Sequence, residues 1–387
     1  MSEVIKKITL WRVIAVGIFA AGLYGTYLRF VHGWQASTNL TDAQPWGFWV
    51  GFGTLCGVGM SAGGFAIAAA VYLLGMERYR PILRASILVS FLGYSTVCVG
   101  MLYELGLPWR IWHPMIYWNK SSVLFEVALC VMMYTTVLTL EFAPNIIEKL
   151  PWKRLRELIL HYHHKIVLGL VLIGVLLSSL HQSFLGGLFL LTKGRMYPLW
   201  YSEYLHTMFY MSAIPTGLAV VIIATYLSIR SLGVRIDFSI LTDLAKVIVP
   251  MLAIYTIFRT INLVNGGGLS YLFRPRMETY YFWLEILLLV VAPLVLYSLP
   301  KVRNNPQGLY WTSALLVLGF IANRLNVSIT SMEFWNHANY VPKWPELAMT
   351  AMCLAAAVVA FRLCVLYLDV FPREVKRDRW IAAPASA

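Results

Sequence analysis

The sequence predicts an all-α integral membrane protein that crosses the bilayer about ten times, with residues 1–387 forming a single transmembrane domain. Hydrophobic residues make up 59% of the chain, whereas charged residues make up only 13%, about half the share found in soluble globular proteins. Apolar runs of about 20 residues, the length that one membrane span requires, follow one another along the chain. They leave no stretch for a separate soluble domain.

The helices are predicted between polar gaps that hold most of the prolines. In chain order they cover residues 10–30, 47–75, 83–107, 121–143, 165–191, 204–229, 240–265, 278–299, 308–330 and 345–370. Because proline ends or kinks a helix, these divisions are supported by Pro45, Pro81, Pro108, Pro144, Pro198, Pro275, Pro300, Pro306 and Pro345. Pro215, Pro250 and Pro293 fall inside predicted helices, where a membrane bundle tolerates a kink.

The first apolar run is predicted to be a transmembrane helix and not a cleavable signal peptide. Lys6 and Lys7 precede it, but it continues to Phe30, which is longer than the apolar core of a signal peptide. Most loop lysines and arginines fall on the side of the two termini, so the positive-inside rule predicts cytoplasmic termini. The net charge of +13 sits in these loops as membrane anchors, and we do not expect nucleic-acid binding.

The tryptophans are biased towards the outer side. Those predicted there are Trp34, Trp46, Trp49, Trp109, Trp112, Trp118, Trp200, Trp335 and Trp344. An aromatic belt at the lipid headgroups explains some of them, and a surface that docks a partner protein explains an excess equally well. The sequence leaves both interpretations open.

Ionisable side chains inside the predicted spans concentrate in the outer half of the membrane. Those placed deep in that half are Glu126, His181, Arg259, Glu285 and Arg324. The inner half is poorer, with Asp243, Lys246 and Glu141 close to the cytoplasmic boundary. Since charged groups inside a bilayer are costly and usually functional, we predict a polar pocket in the outer half. The structural alternative is that the two arginines pair with the two glutamates and hold the bundle together.

His181, Gln182 and Ser183 are three consecutive polar residues in one span, which favours a functional role over packing alone. A transmembrane b-haem usually needs two facing histidines, and His181 is the one histidine placed deep in a span, so we predict no haem. The cysteines form no CxxC pair, so we expect no iron–sulfur cluster and no metal site in this chain: Cys56, Cys98, Cys130, Cys353 and Cys364.

The second predicted helix is rich in glycine. Its glycines are Gly51, Gly53, Gly57, Gly59, Gly63 and Gly64. Close packing of helices is the ordinary explanation for such a series of small residues. The alternative is a flat ligand that lies against bare backbone.

Several short motifs occur in an order that resembles a known family. They are Pro45-Trp46-Gly47, Ser61-Ala62-Gly63-Gly64, Asn119 with Ser122 to Glu126, Leu140-Glu141-Phe142-Ala143-Pro144, His181-Gln182-Ser183 and Pro198-Leu199-Trp200. Together they resemble the NrfD/HybB family of PsrC-like, quinone-reactive membrane subunits, and within it the membrane subunits of periplasmic NiFe hydrogenases. The resemblance covers essentially the whole chain, more loosely in the second half at Trp283-Leu284-Glu285, Arg324 and Trp344-Pro345-Glu346.

The resemblance implies a haem-free subunit of a bacterial inner membrane, with two four-helix bundles plus flanking helices. Such a subunit exchanges electrons between menaquinone or ubiquinone and a periplasmic ferredoxin-like iron–sulfur subunit, here one associated with the large and small subunits of a NiFe hydrogenase. It is part of an oxidoreductase complex and not catalytic alone. The implied quinone site lies near the outer face, and the partner is expected on the outer loops 31–46, 108–120, 193–203 and 330–344.

Carried onto this sequence, the resemblance makes His181 and Glu126 the catalytic candidates, because each can exchange a proton with a quinone. The residues predicted to line the quinone site are Glu126, His181, Gln182, Ser183, Arg259 and Gly64. Arg259 is expected to hold Glu126 ionised or to steer the quinone ring. A proton path is predicted through Glu104, Glu141, Glu285 and Arg324.

Two other functions remain open. The chain could serve another NrfD-type complex, such as a menaquinone reductase or a polysulfide or nitrite reductase. It could also be a secondary transporter, since charges inside the membrane and broken helices fit that class. The scarcity of charged residues in the inner half argues against an alternating-access path.

Overall fold

A computed structural model describes residues 10–336 and 339–372. Within these residues there are helices and loops but no strand. The described ranges hold ten helices that are long and apolar enough to cross a membrane: α1 Trp11–Val31, α2 Trp49–Tyr72, α3 Glu77–Glu104, α4 Val123–Ile147, α5 Lys153–Thr192, α6 Leu205–Leu232, α7 Phe238–Asn265, α8 Met277–Ser298, α9 Pro306–Trp335 and α10 Trp344–Tyr367. The prediction of an all-α, multi-pass integral membrane protein is confirmed.

The helices form two bundles of four with a flanking pair. In the first bundle α2, α3, α4 and α5 pack in a ring, and in the second α6, α7, α8 and α9 do the same. The pair α1 and α10 packs against the first bundle, mainly on α3. We call the end of the molecule that holds the α2–α3, α4–α5, α6–α7 and α8–α9 loops the terminal face, and the opposite end the distal face.

Glycines bring the two bundles into backbone contact where α2 crosses α6. A Cβ atom built on Gly63 would lie 2.4 Å from the carbonyl oxygen of Gly217, and one on Gly217 would lie 2.2 Å from the nitrogen of Gly63. On the same helix, Gly59 faces the Phe320 ring of α9, and Gly64 donates its N–H to Ser90 of α3. Most glycines of α2 therefore serve close helix packing, as small residues do in membrane bundles.

Three of the ten helices contain π-helical turns. They lie at Trp49–Cys56 in α2, Leu287–Val291 in α8 and Asn326–Thr330 in α9. A π turn widens the helix locally and is often found at functional sites. The turn in α9 directs Asn326 towards Glu285, and the turn in α2 places Thr54 against Glu104.

Helix α5 begins earlier than expected from the apolar pattern. The predicted span starts at residue 165, whereas the helix starts at Lys153. Its first three turns carry basic residues, Glu157 and histidines, so hydropathy does not register them, although nothing in them breaks a helix. The helix extends past the membrane-spanning stretch at the terminal face.

Candidate functional site

A buried polar cluster lies at the centre of the first bundle. We call it the His181 centre, and it consists of Tyr94, Tyr134, Ser178, His181 and Gln182. His181 is 0% exposed, and its Nδ1 atom lies 3.1 Å from the Tyr94 hydroxyl. The Tyr94 ring packs edge-on against Tyr134 with centroids 4.6 Å apart. Gln182 donates its Nε2 hydrogen to the carbonyl oxygen of Val58, 2.9 Å away on α2.

Several polar atoms of the His181 centre have no partner in the described residues. They are Nε2 of His181, the hydroxyl of Tyr134 and Oγ of Ser178. Buried polar atoms are nearly always hydrogen-bonded, and the exceptions require an explanation such as a bound water or a functional role. Three such atoms in one cluster leave room for a bound water at this place.

A second cluster surrounds Glu285 in the second bundle. Arg259 Nη1 lies 2.6 Å from Oε1 of Glu285 and 2.8 Å from the Tyr255 hydroxyl. Glu285 also accepts hydrogen bonds from Asn323 at Oε1 and from Trp200 and Asn326 at Oε2, each within 2.9 Å. We call these six residues the Glu285 cluster. The carboxylate is completely buried and surrounded by donors, which is the arrangement that makes a buried charge tolerable.

Arg324 joins the two halves of the second bundle. Its Nη2 atom donates to the Phe209 carbonyl at 3.0 Å and to Ser212 Oγ at 2.9 Å, both on α6. The guanidinium carbon lies 3.6 Å from the Phe209 ring centroid and 4.3 Å from that of Phe320. These contacts fix α9 on α6. The predicted pairing of Arg324 with a glutamate is wrong, because its acceptors in the described residues are a carbonyl, a hydroxyl and the Asn323 amide.

Glu126 lies apart from both clusters. The carboxylate is half-buried, and no hydrogen bond or salt bridge joins it to any residue in the described ranges. The expected interaction between Arg259 and Glu126 is wrong, because Arg259 is committed to Glu285. Ser183 is half-buried beside Gln182, and Gly64 packs α2 on α3 at a place where a Cβ would lie 2.3 Å from Ser90 Oγ.

Glu104 stands at the distal end of a long apolar groove between α2, α3, α6 and α10. The groove has a volume of about 550 Å³. Thr54 donates its hydroxyl hydrogen to Oε1 of Glu104 at 2.8 Å. The sequence pointed to Glu104 but not to the groove, because an apolar cavity leaves no polar residues to mark it. Its one signal was the run of glycines on α2, of which Gly53 and Gly57 line the groove.

Glu141 lies near the terminal face, where a cavity of about 550 Å³ opens between α3, α4 and α5. The cavity is also lined by His163 and His164. A Cβ built on Gly174 would lie 3.4 Å from Oε1 of Glu141 and 3.7 Å from the ring of Tyr134. Glu141 therefore stands between this cavity and the His181 centre.

The tryptophans of the distal face divide into an exposed group and a buried pair, with the half-buried Trp46 packed on Phe189 between them in exposure. Those that are exposed are Trp34, Trp109, Trp112, Trp118, Trp335 and Trp344. Trp49 and Trp200 are only 5% and 4% exposed, and their indole N–H groups bond to Glu346 and Glu285. The expectation that the outer tryptophans face lipid or a partner is therefore wrong for these two, which belong to the interior.

Comparisons with known proteins agree on one family. Residues 36–336 match the family described as Polysulphide reductase, NrfD. A protein of Nitratidesulfovibrio vulgaris is 35% identical over 91% of this chain and 92% of its own. The Probable Ni/Fe-hydrogenase 2 b-type cytochrome subunit of Escherichia coli is 31% identical over 90% of this chain and 89% of its own. The Menaquinone reductase, integral membrane subunit, of N. vulgaris is 26% identical over 97% and 94%.

The name of the E. coli relative implies a b-haem in that protein. A transmembrane b-haem usually takes two histidines that face each other at one depth. In the described ranges of this chain, His181 lies deep in the membrane, and the others lie in loops or towards helix ends: His32, His113, His161, His163, His164 and His206. His337 falls outside those ranges. This set of donors does not fit a bis-histidine haem. No group of three or more metal-binding side chains is present in the described residues either.

Proposed function

Because the chain belongs to the NrfD family, we propose that it is the quinone-reactive membrane subunit of a respiratory redox complex. The proposed partner is a periplasmic iron–sulfur subunit bound at the distal face, in a complex of the NiFe-hydrogenase type. Relatives in this family include subunits of a hydrogenase and of a menaquinone reductase, which supports a redox complex and a quinone substrate. Under this proposal the distal face is periplasmic and the chain carries no haem.

The observation that supports the proposal most directly is the His181 centre. A histidine and two tyrosines lie together inside the membrane, and Nε2 of His181 has no partner in the described chain. Packing alone does not explain an unpaired imidazole nitrogen at zero exposure, because burial without a hydrogen bond is costly. Groups that can exchange protons are what quinone chemistry needs from its protein.

Reduction of a quinone to a quinol takes two electrons and two protons, and each oxygen gains one hydrogen. In the proposed complex the electrons come from the iron–sulfur partner, which is oxidised, and quinol oxidation reverses every step. This chain supplies the two protons. We propose that one of the two protons passes from the terminal-face cavity to His181 by way of Glu141, Tyr134 and Tyr94. Each of these side chains lies next to the following one in the structure. Glu126 is proposed to exchange the second proton.

The first prediction tests the complex itself. When the full chain is purified from its native membrane, an iron–sulfur protein should co-purify, and the complex should transfer electrons between that protein and a menaquinone analogue. A photo-crosslinking residue at Trp112 or Trp118 should capture the iron–sulfur protein, because these exposed side chains stand on the distal face. The matched control is the same residue at Trp152, which is 65% exposed on the terminal face. Capture from Trp152 but not from the distal positions contradicts the proposed topology.

The second prediction concerns Glu126. The Glu126→Gln variant should lose most quinone-coupled turnover and assemble normally. Glutamine keeps the shape of the side chain but carries no proton, and no described arginine is left unpaired by the change. The measurements are quinone-coupled and dye-linked activity of the purified complex, with Glu157→Gln at an exposed position as control. Normal quinone-coupled activity in Glu126→Gln removes Glu126 from the mechanism.

A further inference from the structure

We propose that a small cavity in the second bundle binds a monovalent anion of the size of chloride. The cavity has a volume of about 30 Å³ and lies beside the Glu285 cluster, between α6, α7 and α9. Arg259 and Arg324 both line it, and no aspartate or glutamate of the described chain does so. The proposal depends neither on a quinone nor on a redox partner.

The charges around this cavity do not balance. Glu285 neutralises Arg259, with 2.6 Å between the two side chains. Arg324 is 1% exposed and forms no salt bridge within the described residues. Because an arginine stays protonated in a protein, it cannot shed this charge, and a buried charge without a counter-ion is costly. An anion in the cavity supplies the negative charge that Arg324 lacks.

Hydrogen-bond donors around the cavity are in excess as well. Nε of Arg324 has no partner in the described residues. Tyr255 accepts a hydrogen from Nη1 of Arg259 at 2.8 Å, so the hydroxyl hydrogen of Tyr255 needs an acceptor, and the described part of the chain gives it none. Nη1 also makes the contact to Glu285, which leaves the hydrogens on Nε and Nη2 of Arg259 for another acceptor. Several buried donors without an acceptor are what an anion site requires.

The amide oxygens in the cavity wall are already bonded. Oδ1 of Asn323 accepts from Nη1 of Arg324, and Oδ1 of Asn262 accepts from Oγ of Ser202 at 3.1 Å. A cation would also meet two guanidinium groups in this wall. The cavity therefore selects for negative charge.

The size of the cavity limits which anion can bind. A water molecule needs about 10–15 Å³ of such space, so this cavity holds one halide-sized ion or two waters. Phosphate, sulfate and carboxylic acids have several heavy atoms and do not fit. Apolar side chains complete the wall and strengthen the attraction between an anion and the arginines, because they exclude bulk water: Leu199, Leu205, Met208, Leu263 and Val327.

An ion can reach the cavity from the distal face. Tyr201 and Ser202 are half-buried in the loop before α6, and both line the cavity. Asn262, which is bonded to Ser202, lies near the end of α7. These residues give the cavity a polar side towards the aqueous phase, by which a hydrated ion can enter.

Water is the competing occupant, because it can also accept hydrogen bonds from buried donors. Two waters would meet Nε of Arg324 and the hydroxyl of Tyr255, but they carry no charge. The guanidinium of Arg324 would then remain without a counter-ion. An anion accounts for the unpaired donors and for the unbalanced charge together.

The test follows thermal unfolding of the purified complex in detergent, with gluconate exchanged for chloride at constant ionic strength. The unfolding temperature of the wild type should rise as chloride replaces gluconate and then level off, because a ligand that binds only the folded state stabilises it. Arg324→Gln should show no such rise, since the charge that the anion balances is gone. Arg195→Gln is the matched control, because it removes an exposed arginine of the distal face and should respond as the wild type does.

A second variant and a direct measurement keep the test independent of whether Arg324→Gln folds. Tyr255→Phe keeps the ring and removes one donor, so the chloride concentration at half of the temperature rise should increase at least about tenfold. Tyr204→Phe, at an exposed tyrosine of the distal face, is its control. In crystals of the wild-type complex grown with bromide in place of chloride, an anomalous peak should lie between Arg259 and Arg324.

Three results would each overturn the proposal. The first is an unfolding temperature of the wild type that is the same in chloride and in gluconate. The second is a chloride response that both Arg324→Gln and Tyr255→Phe retain, because the ion then acts elsewhere. The third is ordered water in the cavity without an anomalous bromide signal. None of these results affects the proposed function, which rests on the family and on the His181 centre.

Discussion

The His181→Ala variant should lose at least about 100-fold in quinone-coupled turnover while the complex still assembles and still reduces artificial dyes. A well-placed proton donor or acceptor contributes typically about 10²–10⁴-fold to the rate of a reaction that it serves. His181 is the imidazole that is sealed inside the first bundle, bonded to Tyr94 and left with an unpaired Nε2. Its removal interrupts the proposed proton route but leaves the groove and the distal face unchanged.

Two further variants separate proton transfer from packing. Tyr94→Phe keeps the ring that packs on Tyr134 and removes only the hydroxyl that meets His181, so it should lower the same activity in the same direction. His161→Ala makes the same substitution at an exposed position near the start of α5 and should change neither activity. A low yield of assembled complex with normal specific activity in His181→Ala would show that His181 only supports the fold.

Replacing Glu285 by glutamine should destabilise the protein by about 3–5 kcal/mol, the usual cost of breaking a buried ion pair from one side. Both carboxylate oxygens receive donors: Arg259 and Asn323 at Oε1, and Trp200 and Asn326 at Oε2. In either orientation, a glutamine amide places its NH₂ group, which is a hydrogen-bond donor, against one of these two pairs of donors. The Arg259 charge also loses its counter-ion inside the membrane.

The loss can be measured by thermal unfolding in detergent with a thiol-reactive dye, since the buried Cys56 and Cys130 react only when the bundle opens. The control is Glu203→Gln, which removes a salt bridge to Lys193 whose two side chains are each 72% exposed. Exposed pairs contribute little to stability, so this variant should unfold at the wild-type temperature. Equal unfolding temperatures for Glu285→Gln and wild type would show that the cluster does not hold the second bundle together.

The helices could be predicted from the sequence because membrane spans carry their own signal in the apolar runs. The start of α5 could not, since its polar first turns lie beyond the membrane, where hydropathy carries no information about helix length. The π turns were also missed. They depend on how neighbouring helices pack around Thr54 and Asn326, and single-sequence patterns do not contain those contacts.

The candidate site was predictable as a set of residues and not as a set of pairs. The sequence shows which spans hold Arg259, Glu285 and Glu126, but the partner of Arg259 depends on which helices meet at one depth. In the structure that partner is Glu285, because α7, which carries Arg259, contacts α8, which carries Glu285. Trp200 illustrates the same limit, because its position near the distal face resembles that of a belt tryptophan while its N–H bonds to Glu285.

The Glu285 cluster also has a consequence for how the chain is inserted during synthesis. A charged residue at the centre of a lone helix costs about 2.5–3.5 kcal/mol to pass from the translocon into lipid. Arg259 lies near the end of α7 and Glu285 near the start of α8, so the two charges can neutralise each other within one hairpin of consecutive helices. Arg324 donates to Asn323 on its own helix α9 and to Phe209 and Ser212 on α6, which is made earlier. Arg324 therefore gains its partners on α6 only after α9 has been made, so the burial of this charge depends on the packing of the finished bundle.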